Sequence, residues 1–339
     1  MNDRAVNLLE QYDVEILKTR KGRGALLCDT PEGCLIFKEY SGNPHSDAME
    51  RLQLQDRLLK HLQKEDEVRV EQILPNKEGE LFVTDHDGVR YILKTYTEGR
   101  ECNINERREC LEAVRVLAKL HTHMELPAAE AGSTEHSGFL FRPGMEYGKR
   151  NRELKRVRNY LKKRSQKTWF EIYLQQNFDP FLEQALVLSE EWQKYEDLYP
   201  AEGNRAQNVT YCHGDYQYHN LFYTDAGWFV ANFEKCIADD PVRDLYLFLR
   251  KLLEKSNWSV VLGRELLEAY EELRPLSAFS RIDLYYRLAY PEKFWKIINF
   301  YYNSGKAWIP GRNLEKLEKV VEQESEKQAF LDAVFRNHF

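Results

Sequence analysis

In the first hundred residues apolar positions recur mostly every second residue, the period of a half-buried strand. Val14-Glu-Ile-Leu-Lys18 alternates, Lys21-Gly-Arg-Gly24 turns, and Ala25-Leu-Leu-Cys28 opens a second strand. Asp29-Thr-Pro-Glu-Gly33 carries the residues that tight turns favour, and Cys34-Leu-Ile-Phe-Lys-Glu-Tyr40 follows as a third strand. The period then changes. From about Ser46 to Lys64, Leu52, Leu58, Leu59 and Leu62 fall on one side of a helix. Two more strands are expected near Glu80–Asp85 and Val89–Tyr96, joined by His86-Asp-Gly88.

After Thr97-Glu-Gly-Arg100 the helical period dominates. Cys110–Met124 lines up Leu111, Val114, Leu117 and Leu120, and Phe178–Tyr195 lines up Leu182, Leu186 and Leu188. Between them Gly144–Lys167 is strongly basic, with ten Lys or Arg from Lys149 to Lys167, the pattern of a solvated helix face. From Pro241 onward the chain reads as helix, including the aromatic-dense stretch Leu284–Trp308, whose rings are expected to pack in a core. Only Val209–Ala238 is strand-like. The pattern predicts an α+β chain: a β-rich unit over residues 1–97 and a mainly helical unit over 98–339.

Composition narrows the function classes. The net charge of −6 gives no footprint for nucleic acid. No stretch approaches the roughly 18–20 apolar residues that span a bilayer, so no membrane span is expected. Met1-Asn-Asp-Arg4 lacks the apolar core of a secretory signal, which predicts cytoplasmic synthesis. The six cysteines include no C-x-x-C pair and are expected to be free thiols.

The most unusual polar residues lie in Tyr211-Cys-His-Gly-Asp-Tyr-Gln-Tyr-His-Asn-Leu-Phe-Tyr223, followed by Gly227-Trp-Phe-Val-Ala-Asn-Phe-Glu234. A turn carrying Asp215, an Asn five residues on and a strand (228–234) ending in ligand-like side chains suit phosphoryl transfer. An Asp can orient an attacking hydroxyl and accept its proton. An Asn on the same loop can ligate magnesium, and an acid on the next strand can bridge the metal to nucleotide phosphates. Such transfer needs positioning and charge neutralisation, which a few fixed oxygen ligands supply.

His213-Gly-Asp215-x-x-x-x-Asn220 resembles the catalytic loop of the aminoglycoside-phosphotransferase and choline-kinase families. The resemblance implies a two-lobed protein-kinase-like fold, with a small antiparallel sheet and one helix before a large helical lobe. It implies ATP and Mg2+ as cofactors, Asp215 as catalytic base, His213 ordering the loop, and Asn220, Asn232 and Glu234 at the metal. Lys38, ending the third strand, falls where these families place a phosphate-contacting lysine, with Glu50 as its expected carboxylate partner. Tyr96 and Thr97 fall at the hinge that meets an adenine ring. Asp244, in Asp239-Asp-Pro-Val-Arg-Asp244-Leu, resembles the residue that stabilises the catalytic loop.

Further segments resemble the CotS-type spore-coat family: Tyr91–Cys102, Phe248–Trp258, Ala289–Lys296 and Tyr301–Trp308. That resemblance implies a place on the endospore coat, with other spore-coat proteins as partners. One departure matters. The metal-binding strand of the kinase-like families ends Asp-Phe-Asp or Asp-Phe-Glu, and here it ends Asn232-Phe-Glu234. A neutral amide loses the charge that holds magnesium, a loss on the order of a thousandfold in rate. The expected function is therefore a spore-coat protein on a kinase-like scaffold with impaired catalysis. The alternative is an ATP-dependent phosphotransferase acting on the hydroxyl of a small-molecule substrate.

Overall fold

A computed structural model describes residues 3–22, 24–40, 47–124, 143–198, 210–303 and 310–336. Arg23, Ser46 and residues 304–309, which belong to the expected turn, helix start and aromatic segment, lie outside the described residues. The chain divides into two compact units. The first comprises Met1–His136, Thr210–Ile237 and Glu272–Arg274; the second comprises Ser137–Val209, Ala238–Glu271 and Pro275–Phe339. The division does not follow a single cut in the sequence.

In the first unit a 3-10 helix (Asp3–Gln11) precedes β1 (Lys18–Gly22), β2 (Ala25–Thr30), β3 (Gly33–Glu39) and helix α1 (Asp47–Glu65). Short strands β4 (Arg69–Val70), β5 (Ile73–Leu74) and β6 (Val83–Thr84) lead to β7 (Arg90–Tyr96), β8 (Arg100–Glu101) and helix α2 (Arg107–His123). Strands β9 (Thr210–Cys212), β10 (Leu221–Thr224) and β11 (Gly227–Val230) complete it. The main sheet runs β1-β2-β3-β7-β5, with β6 also on β7, and every pairing is antiparallel.

Strand alternation divides this sheet into two faces. Leu26, Cys28, Leu35, Phe37, Tyr91 and Leu93 bury one face against Leu9 of the 3-10 helix and Tyr12 just beyond it. The register Leu27↔Ile36, Ala25↔Lys38, Ile36↔Lys94 and Cys34↔Tyr96 sets Lys38, Lys94 and Tyr96 on the other. Leu27 and Ile36 on that face are only half-buried. The strand expected at Val14–Lys18 begins instead at Lys18. Its alternating Val14 and Ile16 are satisfied by packing on the sheet's core rather than by a ladder.

A second sheet, β4-β11-β10-β8, carries the site. Strand β4 lies parallel to β11 with Val70 opposite Val230, so the next residue, Glu71, arrives at the end of β11. Residues 69–74 carry no turn signal and too few residues to show a period, which is why β4 and β5 were not expected.

The second unit is helical: α3 (Pro143–Lys163), α4 (Trp169–Leu198), α5 (Val242–Lys255), α6 (Val260–Glu271), α7 (Ala278–Ala289), α8 (Glu292–Asn303), α9 (Pro310–Glu322) and α10 (Glu324–Phe335). Helix α4 starts nine residues before the expected Phe178 and runs through Pro180. Its start is a reciprocal cap: the Glu171 carboxylate accepts from the Thr168 backbone N–H (2.8 Å), and the Thr168 hydroxyl accepts from the Glu171 backbone N–H (3.3 Å). On α3, Lys149, Arg152, Lys155, Arg156, Lys162 and Lys163 are exposed. Arg158 pairs with Asp179 and Arg164 with Glu171.

The aromatic stretch is split between α7 and α8 at Tyr290-Pro291, which lets two helices bury what one could not. Tyr290 stacks on Tyr147 at 4.4 Å and Phe294 on Phe181 at 4.3 Å. At the start of α8 the buried Glu292 accepts from the Tyr246 hydroxyl and pairs with Arg150 and Lys296. Burial would push its carboxyl up, but the charges of Lys296, Arg150 and Arg250 outweigh burial and hold it at about 2. A depressed carboxylate adds stability that is complete above its ordinary range and fades as pH falls through about 2. Glu292→Gln is therefore expected to lower stability at neutral pH and flatten the acid limb. Urea midpoints from about pH 6 to about pH 3 would check this, and a limb as steep as wild type would sink it.

Candidate functional site

The His213-Gly-Asp215 turn follows β9 directly. His213 is fully buried, and its ring fixes the turn from both sides. Nε2 lies 2.9 Å from the Ala231 carbonyl, and the Asp215 backbone N–H donates to Nδ1 at 3.1 Å. This pair of contacts selects the tautomer protonated on Nε2. The Tyr216 hydroxyl donates to the Ala113 carbonyl of α2 (2.7 Å), tying the loop to that helix. Asn220, also buried, donates to the Asp215 carbonyl at 2.9 Å and so closes the five-residue span between the two motif residues.

At the end of β11 the chain turns sharply. Asn232 has φ 67° and ψ 54°, a left-handed conformation that asparagine tolerates better than most residues. Glu71 holds the turn in place: its carboxylate accepts the backbone N–H of Asn232 (2.9 Å) and of Phe233 (3.0 Å). The Asn232 amide donates to Asn220 Oδ1 at 2.7 Å. Asp215 meets the exposed Lys235 at 2.8 Å.

Two lysines from the main sheet reach this turn. Lys38 on β3 pairs with Glu234 Oε1 at 2.8 Å. Lys94 on β7, with no exposed side-chain surface, pairs with Glu71 at 2.9 Å and with the same Glu234 oxygen at 3.0 Å. Burial would lower the Lys94 pKa, yet the two carboxylates outweigh it and the ammonium is held above its usual range. Burial likewise works against Glu234, and the charges of Lys94 and Lys38 still hold its carboxyl below the ordinary range. The cluster is a charged network that meets the main sheet on the face opposite its core.

Lys38, His213, Asp215, Asn220, Asn232 and Glu234 are thus brought together. Glu50 is not the partner of Lys38: it stands exposed on α1, and Glu234 takes that place because the β11 turn, not the helix, reaches the strand. Tyr96 and Thr97 lie at the end of β7, where with Val14, Leu35, Leu74 and Glu98 they line an open depression of about 720 Å3. Lys38 and Glu234 do not line it. Asp244 is buried in the first turn of α5, in the second unit. Sequence reasoning missed Glu71, Lys94 and Lys235. Lys94 did leave a signal, a lysine inside the apolar run Tyr91-Ile-Leu-Lys-Thr, two positions from Ile92 on the same face.

A family model described as "Spore coat putative kinase YutH" matches residues 6–334. Spore coat protein S of Bacillus subtilis (strain 168) is 29% identical over 124 residues, 36% of this chain and 35% of that protein. The match thus spans about a third of that relative's length. Among solved structures, an aminoglycoside phosphotransferase from Alicyclobacillus acidocaldarius superposes with a TM-score of 0.79 at 18% identity, covering 97% of this chain and 95% of that one. Spectinomycin phosphotransferase APH(9)-Ia, solved with ADP and spectinomycin, gives 0.66 at 14% identity, covering 97% and 98%. The fold is α+β and kinase-like. Among the described residues no helix is long and apolar enough to cross a membrane.

Proposed function

Since the chain belongs to the Spore coat putative kinase YutH family, we propose that it is a spore-coat protein that binds an adenine nucleotide on a kinase-like site with impaired phosphoryl transfer. One observation carries the reading. Lys38, the His213–Asn220 loop and the Asn232–Glu234 turn converge in a network whose position for a metal-binding acid holds a neutral amide. In this reading the phosphates lie against Lys38, and the half-buried Leu27 and Ile36 on the same face offer apolar surface to the base. Tyr96 and Thr97 border the base's far edge. Nucleotide binding is supported by the likeness to a phosphotransferase solved with ADP. The partners are other coat components, and the exposed cations of α3 would suit an acidic one.

ATP at a hundred times its dissociation constant should add about 2.7 kcal/mol of stability and raise the melting temperature. Lys38→Met should shrink that shift and leave the ligand-free melting temperature close to wild type, because Lys94 still pairs with Glu234. No shift of the wild-type protein at millimolar ATP would sink the reading. A second reading, transfer of phosphate to a small-molecule hydroxyl, draws support from Asp215, whose backbone is held by His213 and Asn220 as a base's would need to be. Its test is ATP consumption that Asp215→Ala removes.

A further inference from the structure

A divalent cation in a kinase-like site needs anionic oxygens that nothing else has neutralised, because magnesium is bound through one or two carboxylates together with the substrate's phosphates. The donor set here does not fit that need. The site's three carboxylates, Glu71, Glu234 and Asp215, face three ammonium groups, Lys94, Lys38 and Lys235, each within 3.0 Å of a carboxylate oxygen. The formal charge is therefore balanced before any ligand arrives. Glu71 is further occupied by two backbone N–H groups. Asn232 brings no charge, and its amide hydrogen takes up the Asn220 oxygen that would otherwise face an ion. An ion placed on the remaining oxygen of Glu234 would lie beside two ammonium groups.

We propose that this site holds the nucleotide's phosphates on lysine ammonium groups rather than through a divalent cation, so that binding is independent of magnesium. The inference rests on the nucleotide reading above and deepens it. Its physical core is the duplication of lysines on Glu234. Lys38 is partly exposed, with 22% of its side-chain surface open, and Lys94 is wholly enclosed. A lone Lys38 could turn to a phosphate only by leaving a half-buried carboxylate uncompensated, which is costly. With Lys94 fixed between Glu71 and Glu234, Glu234 keeps an ammonium contact, shared with Glu71, when Lys38 turns. The enclosed lysine makes the open one available. Lys235, exposed beside Asp215, adds a second solvent-open cation.

The test is ATP affinity of the full chain, measured by calorimetry in excess magnesium and in EDTA. The inference expects dissociation constants that agree within about threefold in the two buffers. Asn232→Asp should make the site metal-responsive, binding ATP at least about tenfold more tightly with magnesium than in EDTA. Lys38→Met should weaken binding in both buffers alike. Wild-type binding that weakens about tenfold or more in EDTA overturns the lysine assignment and leaves the nucleotide reading standing. An Asn232→Asp protein that stays indifferent to magnesium also overturns it, since the missing charge would then not be what excludes the metal. Absence of ATP binding in both buffers brings down the nucleotide reading, and this inference with it.

Discussion

Glu71→Ala is expected to cost about 3–5 kcal/mol of stability, the usual consequence of removing one partner from a buried ion pair. The loss has two sources. Lys94 would remain fully enclosed with only half of its compensation, from a Glu234 oxygen it shares with Lys38. The N–H groups of Asn232 and Phe233 would also lose their acceptor at a turn already in a left-handed conformation. Glu71→Gln separates the two in part, because its single amide oxygen can keep one of the two backbone bonds, which now fall on different carboxylate oxygens, while the charge is gone. It should recover part of the loss, on the order of 1 kcal/mol for the one hydrogen bond kept. Denaturant unfolding reads the total, and hydrogen exchange at the Asn232 and Phe233 amides reads the turn. A loss under about 1 kcal/mol for Glu71→Ala, with both amides still protected, would show that the pair does not anchor this turn.

The reasons Glu71 escaped sequence reading, while Asp215 and Asn220 did not, are physical. Asp215 and Asn220 are hydrogen-bonded within one short loop, so their spacing survives as a pattern that a sequence can carry. Glu71 works through a parallel pairing of β4 with β11, strands separated by more than 150 residues in the chain. Nothing local marks that register. Lys38 stands out in the sequence only through the resemblance, as the lysine ending the third strand; its expected partner, Glu50 on α1, points to solvent. The carboxylate came from a tertiary approach, by Glu234, that period-two reasoning cannot see. The sheet's core was legible for the opposite reason, since Leu35, Phe37, Tyr91 and Leu93 repeat at the spacing that buries them. The start of α4 was legible in principle. Thr168-Trp-Phe-Glu171 is a capping sequence, at a start nine residues ahead of the expected Phe178.

Gly214→Ala is expected to be comparably severe, and for a reason that can be isolated. Gly214 sits at φ +79°, and a Cβ there would lie 1.9 Å from the Lys235 carbonyl oxygen and 2.7 Å from its carbon. Both are backbone atoms of the segment that carries Glu234, so no side-chain rotation relieves the contact. Either the Asp215 loop or the Lys235 peptide must move. Such a movement would pull on the His213 bond to Ala231 or on the Glu234 pair with Lys38. Gly24→Ala supplies the control. Its φ is +72°, and nothing lies within 4 Å of the Cβ it would gain, so it carries only the backbone term of roughly 1 kcal/mol. Gly214→Ala should exceed it by at least about 2 kcal/mol, the size expected when a core contact is overpacked. Equal losses for the two substitutions would mean that Gly214 is required for its dihedral angle alone, and that the approach of the Asp215 loop to Lys235 can relax without cost.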